Sequence, residues 1–302
     1  MGRLMIALSI KDGVLNFISV YKKSNQLNSE SYGTLKFGDE VFNGSLIEKV
    51  KKIKAIKKSN YPSKKCMIFL GTDEVFLNKF KCPDEMEPTE YLGWSNQLIF
   101  EEGDMDSYSD YHYELSCKSF LSVYIKKEKQ AKYYTTCLDA GLNLKALSLG
   151  ILSADYLARE KFEANNEKSY MVWAIGKNND EILMSQDGEI QCMLRISRKA
   201  KNISLVSYVG SKEKALDIVN MLKEKADKDL KDFKLVNKIY MYQNHPGLDM
   251  KKIYNKKNKD AIVVLNPLLK MGNVKQNKIN LLDTSYLSEF GYVFKSLESN
   301  GN

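Results

Sequence analysis

Histidine is almost absent from this chain of 302 residues, which has only His112 and His245. His112 stands between Tyr111 and Tyr113, His245 precedes Pro246, and neither has Cys, Asp or Glu at metal-ligand spacing. There is no Cys-x-x-Cys, no Gly-x-Ser-x-Gly elbow and no Walker loop. Glu101 and Glu102 are adjacent, so they point to opposite sides of any regular element and make a poor catalytic couple. No stretch approaches the roughly 18–20 consecutive apolar residues of a membrane helix. The opening MGRLMIALSI reaches Lys11 and Asp12 too soon for a signal peptide, and it lacks the Ser or Thr of a myristoylation pattern. Five cysteines (Cys66, Cys82, Cys117, Cys137, Cys192) are odd in number and widely spaced, which predicts reduced core thiols in a cytoplasmic protein.

Basic charge is missing from one long stretch. Between Pro83 and Cys117 there is no Lys or Arg, while ten Asp and Glu fall there, among them Glu101, Glu102 and Asp104. That segment carries −10 against +8 for the whole, so the remainder carries +18. Lys clusters at 49–65 and 251–259. These are either two solvated faces, or an acidic patch for a basic partner and a basic face for anionic lipid. Nucleic acid is not expected, because the Lys clusters have no interleaved stacking aromatics.

What the chain does have is a 43% apolar fraction and 18 Tyr, enough for two folded halves. Leu4–Ile10 and Val14–Tyr21 flank Asp12-Gly13 as a hairpin, and Ser29–Phe37 adds a third strand. A helix is expected over Ser45–Lys58, strands over Cys66–Leu70 and Val75–Phe80, and a helix over Glu87–Glu102 with Leu92, Leu98 and Ile99 on its apolar side. Strands at Tyr111–Ser116 and Ser119–Ile125, a helix Lys127–Ala140 capped by Gly141, a strand Leu144–Leu149 and a helix Ile151–Phe162 close the first half. The second half repeats the opening: strands Tyr170–Ile175, Glu181–Gln186 and Glu189–Ile196, helix Lys212–Asp229, strand Val236–Tyr242, short helix Leu248–Tyr254 and last strand Ala261–Leu265. Trp94 and Trp173 read as core or interface residues.

Three antiparallel strands followed by helix–strand–helix–strand, twice over, is the layout of the actin-like ATPase (ribonuclease H-like) α/β fold. The expected division is a first lobe over 1–162 with an inserted subdomain near 38–125, a second lobe over 163–275, and an extended tail over 276–302. The order of the strand–turn–strand at Met5–Val20, the Pro-terminated strand and acidic helix in Phe80–Glu102, and Ala140-Gly141-Leu142 resembles the PilM family and the related cytoplasmic domain of GspL. These are components of type IV pilus and type II secretion platforms.

That resemblance implies a cleft that binds Mg-nucleotide through an Asp at the end of the first strand of each half. The chain departs from it. Ser9 stands at the first Asp position and Lys11 at a phosphate-loop Gly, while Ala174 stands at the second Asp position and only Gly176 is kept. The Gly-Gly expected at the adenosine appears as Gln243-Asn244-His245-Pro246-Gly247. Without the carboxylates Mg²⁺ loses its hard oxygen ligands, so no catalytic residue, metal or cofactor is expected.

Ile279-Asn280-Leu281-Leu282 matches the segment by which PilN docks on PilM, here on the same chain. It reads either as a last edge strand or as an extended peptide that leaves the domain. The resemblance therefore implies a non-catalytic scaffold on the cytoplasmic face of the bacterial inner membrane. Its partners would be a secretion or pilus ATPase and PilN/GspM-like membrane components, with a homodimer conceivable and a membrane helix expected beyond Asn302. The alternative is a nucleotide-binding PilM-like protein that takes a PilN-type peptide.

Overall fold

Strand β1 (Leu4–Lys11) is buried on both faces, as expected of a central strand covered on either side. The two faces belong to different cores. Leu4, Ile6, Leu8 and Ile10 point into one cluster, Met5 and Ala7 into another, as the period of two in a strand requires. A computed structural model describes residues 4–11, 13–24, 26–36, 47–48, 50–51, 64–100, 103–116, 118–199, 202–225, 235–246, 248, 261–274, 280 and 282–298.

The first sheet runs β3-β2-β1-β4-β8, with β2 at Val14–Lys23, β3 at Gln26–Lys36, β4 at Lys65–Leu70 and β8 at Asn143–Leu149. Gly13, at φ +73°, makes the β1–β2 turn. β1 pairs antiparallel with β2 and parallel with β4. The second sheet repeats this order as β12-β11-β10-β9-β13-β14. It contains β9 (Ser169–Ile175), β10 (Asn179–Gln186), β11 (Glu189–Lys199), β13 (Lys238–Gln243) and β14 (Ile262–Val264). β9 pairs antiparallel with β10 and parallel with β13. The duplicated unit read from the sequence is therefore present. It gains an edge strand that the sequence reading missed, β12 (Asn202–Gly210), in which Ile203 and Leu205 alternate with exposed Asn202 and Ser204 and pack on the second core.

The inserted subdomain is a three-stranded sheet β5-β7-β6 (Phe76–Lys81, Ser119–Lys126, Tyr108–Ser116) with helix α1 (Pro88–Ile99). Because β4 pairs within the main sheet, the insertion occupies 71–126, not 38–125. Helix α1 carries a second correction: Leu98, expected on its apolar side, is exposed. Helix α2 (Lys127–Asp139) returns the chain to β8, with Gly141 at φ +73° after it. Helix α3 (Gly150–Lys161) is buried along most of its length and contributes to the core shared by both sheets. It is pinned to β9 where the Tyr170 hydroxyl donates to Asp155 Oδ1 at 2.7 Å. Helix α4 (Lys212–Lys225) covers the outer face of the second sheet through Ala215, Ile218, Val219 and Leu222. Most of the helix expected over Ser45–Lys58 and all but Leu248 of that over Leu248–Tyr254 lie outside the described residues.

The C-terminal segment overturns the expected tail. The chain returns to the first lobe at Pro267–Met271, and the Asn273 side chain accepts from Ser29 N and donates to Ser29 O. A 3-10 helix over Ser285–Phe290 and helix α5 (Tyr292–Glu298) then bury Leu287, Phe290, Val293 and Phe294 against Met5, Ala7, Ile18 and Phe69. Phe69 and Phe290 meet edge to face at 5.3 Å. Gly291 lets this segment cross α3, since a Cβ there would collide with the Ser153 carbonyl oxygen. An apolar stripe at spacing 3–4 in 286–297 needs a core and finds it here.

Candidate functional site

Ser9 and Lys11 lie on the same face of β1 as Met5 and Ala7, so they look toward the C-terminal segment. Lys11 Nζ donates to Glu289 Oε2 at 2.8 Å and lies 4.0 Å from Glu181 Oε2. Glu289 is fully buried, and its carboxylate lies where a Cβ on Gly150 would come within 3.0 Å of Oε2. Burial disfavours charge on Lys11, but Glu289 and Glu181 outweigh it and hold its pKa well above that of an ordinary lysine. Burial pushes the Glu289 carboxyl up, with Lys11 pulling the other way. Lys11 is the firmly charged member of the cluster.

Glu181 comes from the second lobe. It sits directly across from Ala174 in the β9–β10 ladder, so an acid stands one strand away from the position where the resemblance implied one. Its Oε1 accepts from Thr72 N at 2.6 Å and Thr72 Oγ1 at 2.9 Å, just past the C-terminal end of β4 where the insertion begins. Arg195 and Asp73 approach across the same gap, at 3.9 Å. Three charged residues from β1, β10 and the C-terminal segment thus meet in the cleft between the lobes.

The second turn is built differently. Gly176 N donates to Asp180 Oδ1 at 3.0 Å, and Asp180 is further held by Trp173 Nε1 and by Arg198. A Cβ on Gly176 would collide with the Asn179 carbonyl, so that glycine serves turn geometry. Trp173 is a buried residue tied to this turn. At the expected adenosine stretch, Gln243 Nε2 donates to the carbonyls of Leu282 and Asp283 at 2.8 and 2.9 Å, and Gln243 N donates to Ser285 Oγ. Within that stretch Gln243 holds the C-terminal segment, while Asn244 lines the cleft.

Among the described residues a cavity of about 200 Å³ in the cleft has Lys11, Asp73, Glu74, Glu181, Arg195 and Asn244 in its lining. Glu74 itself is taken by Tyr133 and Lys129. The side chains present do not fit a magnesium triphosphate, since an ammonium held between the two acids repels a divalent cation and fills the space beside Gly150. Among the described residues no group of three or more His, Cys, Asp or Glu could hold a metal.

Of the seven expected partner-binding residues, Asn280, Leu282 and Asp104 are described. Asn280 is exposed and closes a turn, its carbonyl accepting from Thr284 N and Oγ1 and its amide meeting Asp283. Leu282 packs against the second-lobe core and is held by Gln243, so it is not a free docking peptide. Ile279, Leu281, Glu101 and Glu102 lie outside the described residues. Asp104 is exposed in a 3-10 turn of the insertion. Sequence reading missed Glu181 and Glu289. Glu181 was findable as the cross-strand neighbour of Ala174, and Glu289 as the one acid in the apolar 286–297 stretch.

No family model matches the chain, and no curated protein matches it. Solved structures do. A "PilM-PilN type IV pilus biogenesis complex" superposes with a TM-score of 0.64 at 11% identity, covering 97% of this chain and 98% of that one. The cytoplasmic domain of EpsL, an inner-membrane component of the type II secretion system of Vibrio cholerae, gives 0.48 at 7% identity over 100% and 96%. A Bacteroides thetaiotaomicron protein described as having an actin-like ATPase fold gives 0.48 at 9% over 88% and 91%. The fold is actin-like, in the form seen in the PilM–PilN complex. Among the described residues no helix is long and apolar enough to cross a membrane.

Proposed function

We propose that this protein is a non-catalytic scaffold of a pilus or secretion platform, which joins membrane components of the PilN/GspM kind to the machine's ATPase. The observation that carries the reading is the Lys11 ammonium at 2.8 Å from Glu289 and 4.0 Å from Glu181. It places the protein's own cation in the cleft, between an acid of the second lobe and one of the C-terminal segment packed on the first. Similarity to the PilM–PilN complex supports the setting. The acidic insertion supports an ATPase-facing surface: reversing Glu101, Glu102 and Asp104 to Lys is expected to abolish co-purification with the ATPase.

Thermal unfolding with and without Mg-ATP tests the reading. A ligand at about 100 times its Kd adds about 2.7 kcal/mol to the native state. No shift is expected here. A clear upward shift that Lys11→Met changes would establish the alternative, a nucleotide-binding PilM-like protein.

A further inference from the structure

Helix α1 faces the wrong way for a helix that only completes a core. Its inner side covers the three-stranded sheet: Tyr91 packs on Phe80 at 5.3 Å, and Asn96 Oδ1 accepts from the Tyr124 hydroxyl at 2.6 Å. On the outer side Glu90, Trp94, Gln97 and Leu98 share one face at helical spacing. Trp94 is 50% exposed and Leu98 68% exposed. Tyr91 lies against the Trp94 ring at 5.5 Å, which steadies the indole.

The surroundings carry one sign of charge. All eight described acids between Asp84 and Glu114 are exposed. The only ion pair any of them makes among the described residues is Asp110 with His112. An apolar pair one turn apart, bordered by Glu87 and Glu90, is complementary to one kind of surface: a helix with apolar residues at spacing 3–4 and Lys or Arg beside them. Anionic lipid and nucleic acid are repelled by the same acids.

We infer that the outer face of α1, centred on Trp94 and Leu98, docks a basic amphipathic helix of a partner protein. This rests on the scaffold reading and gives it one defined contact surface. Leu98 enters the apolar side of the incoming helix, Trp94 supplies a rigid aromatic anchor, and Glu87 and Glu90 set its orientation and speed its arrival.

Tryptophan fluorescence reads the contact directly, because Trp173 is only 4% exposed and the response comes from Trp94. The probe is a synthetic Leu/Lys amphipathic helical peptide, and its control is a Leu/Glu peptide of the same apolar spacing. The Leu/Lys peptide is expected to shift the Trp94 emission to the blue in a saturable, salt-weakened way. Leu98→Ser and the Glu87→Lys/Glu90→Lys pair are expected to weaken it at least about tenfold, or about 1.4 kcal/mol, with unchanged thermal unfolding. No shift, equal binding of the Leu/Glu peptide, or undiminished binding by both variants overturns the proposal. So does concentration-dependent self-association of the wild type that Leu98→Ser abolishes, since the occupant is then a second copy. None of these outcomes touches the Mg-ATP result, so the two readings fail separately.

Discussion

Lys11 and Glu289 stand 278 residues apart in sequence and 2.8 Å apart in the fold. The pair joins the end of β1 to the 3-10 helix that precedes α5, inside a cleft that also admits Glu181 from the other lobe. Lys11→Met leaves two acids without their cation, and breaking a buried pair from one side costs about 3–5 kcal/mol. The double variant Lys11→Met/Glu289→Met is expected to recover most of that loss, because a packed apolar pair replaces a buried ionic one at little net cost. Urea unfolding of the three proteins measures both, and a Lys11→Met protein as stable as wild type contradicts the account.

Tyr242 supplies a test by pH. It is fully buried, and among the described residues its hydroxyl has no hydrogen-bond partner. Burial pushes its pKa well up, with Glu289 and Glu181 adding to the effect and Lys11 opposing it. A folded-state value above the unfolded one gives stability that is complete below the unfolded pKa of about 10 and is lost as pH rises toward the folded value. Tyr242→Phe removes that titration. Its stability at neutral pH is expected to equal or exceed wild type, and its advantage to grow by about 1.4 kcal/mol per pH unit above about pH 10. Equilibrium unfolding across the alkaline range checks the slope.

Deleting everything after Lys278 distinguishes a tail from a structural element. A free peptide is dispensable, but Leu287, Phe290, Val293 and Phe294 are buried against the first sheet. The truncated chain is expected to lose its cooperative unfolding transition and bind a hydrophobic dye. A sharp, unshifted transition would restore the extended-tail reading.

Gly291→Ala weighs sterics against helix propensity. The residue is helical at φ −54°, so Ala suits the backbone and gains about 1 kcal/mol of propensity. Its Cβ, however, would meet the Ser153 carbonyl oxygen and lie 2.9 Å from the Leu157 Cβ. Overpacking costs about 1–3 kcal/mol, so a net loss is expected in chemical denaturation. A gain would mean that α3 and the C-terminal segment are less closely packed than described.

The duplicated strand order was legible because it is local: apolar runs, Asp-Gly turns and helical spacing repeat within each half, and neighbours in sequence pair in the sheet. That Ser9 and Ala174 stand where the resemblance implies acids came from that resemblance, since no local pattern marks those positions. Edge strand β12 was missed, although Ile203 and Leu205 alternate with Asn202 and Ser204 in its sequence and pack on the second core. The direction of α1 was not legible: its Leu98 fits an inward face by pattern and lies outward in fact. The stripe of 286–297 was present in the sequence, but which surface it covers is a matter of long-range packing. Sequence alone placed Ser9, Lys11 and Ala174 at the ends of their strands; only the tertiary structure decided what stands around them, because a salt bridge between residues 11 and 289 exists once β1, β10 and the 3-10 helix over Ser285–Phe290 are brought together and desolvated.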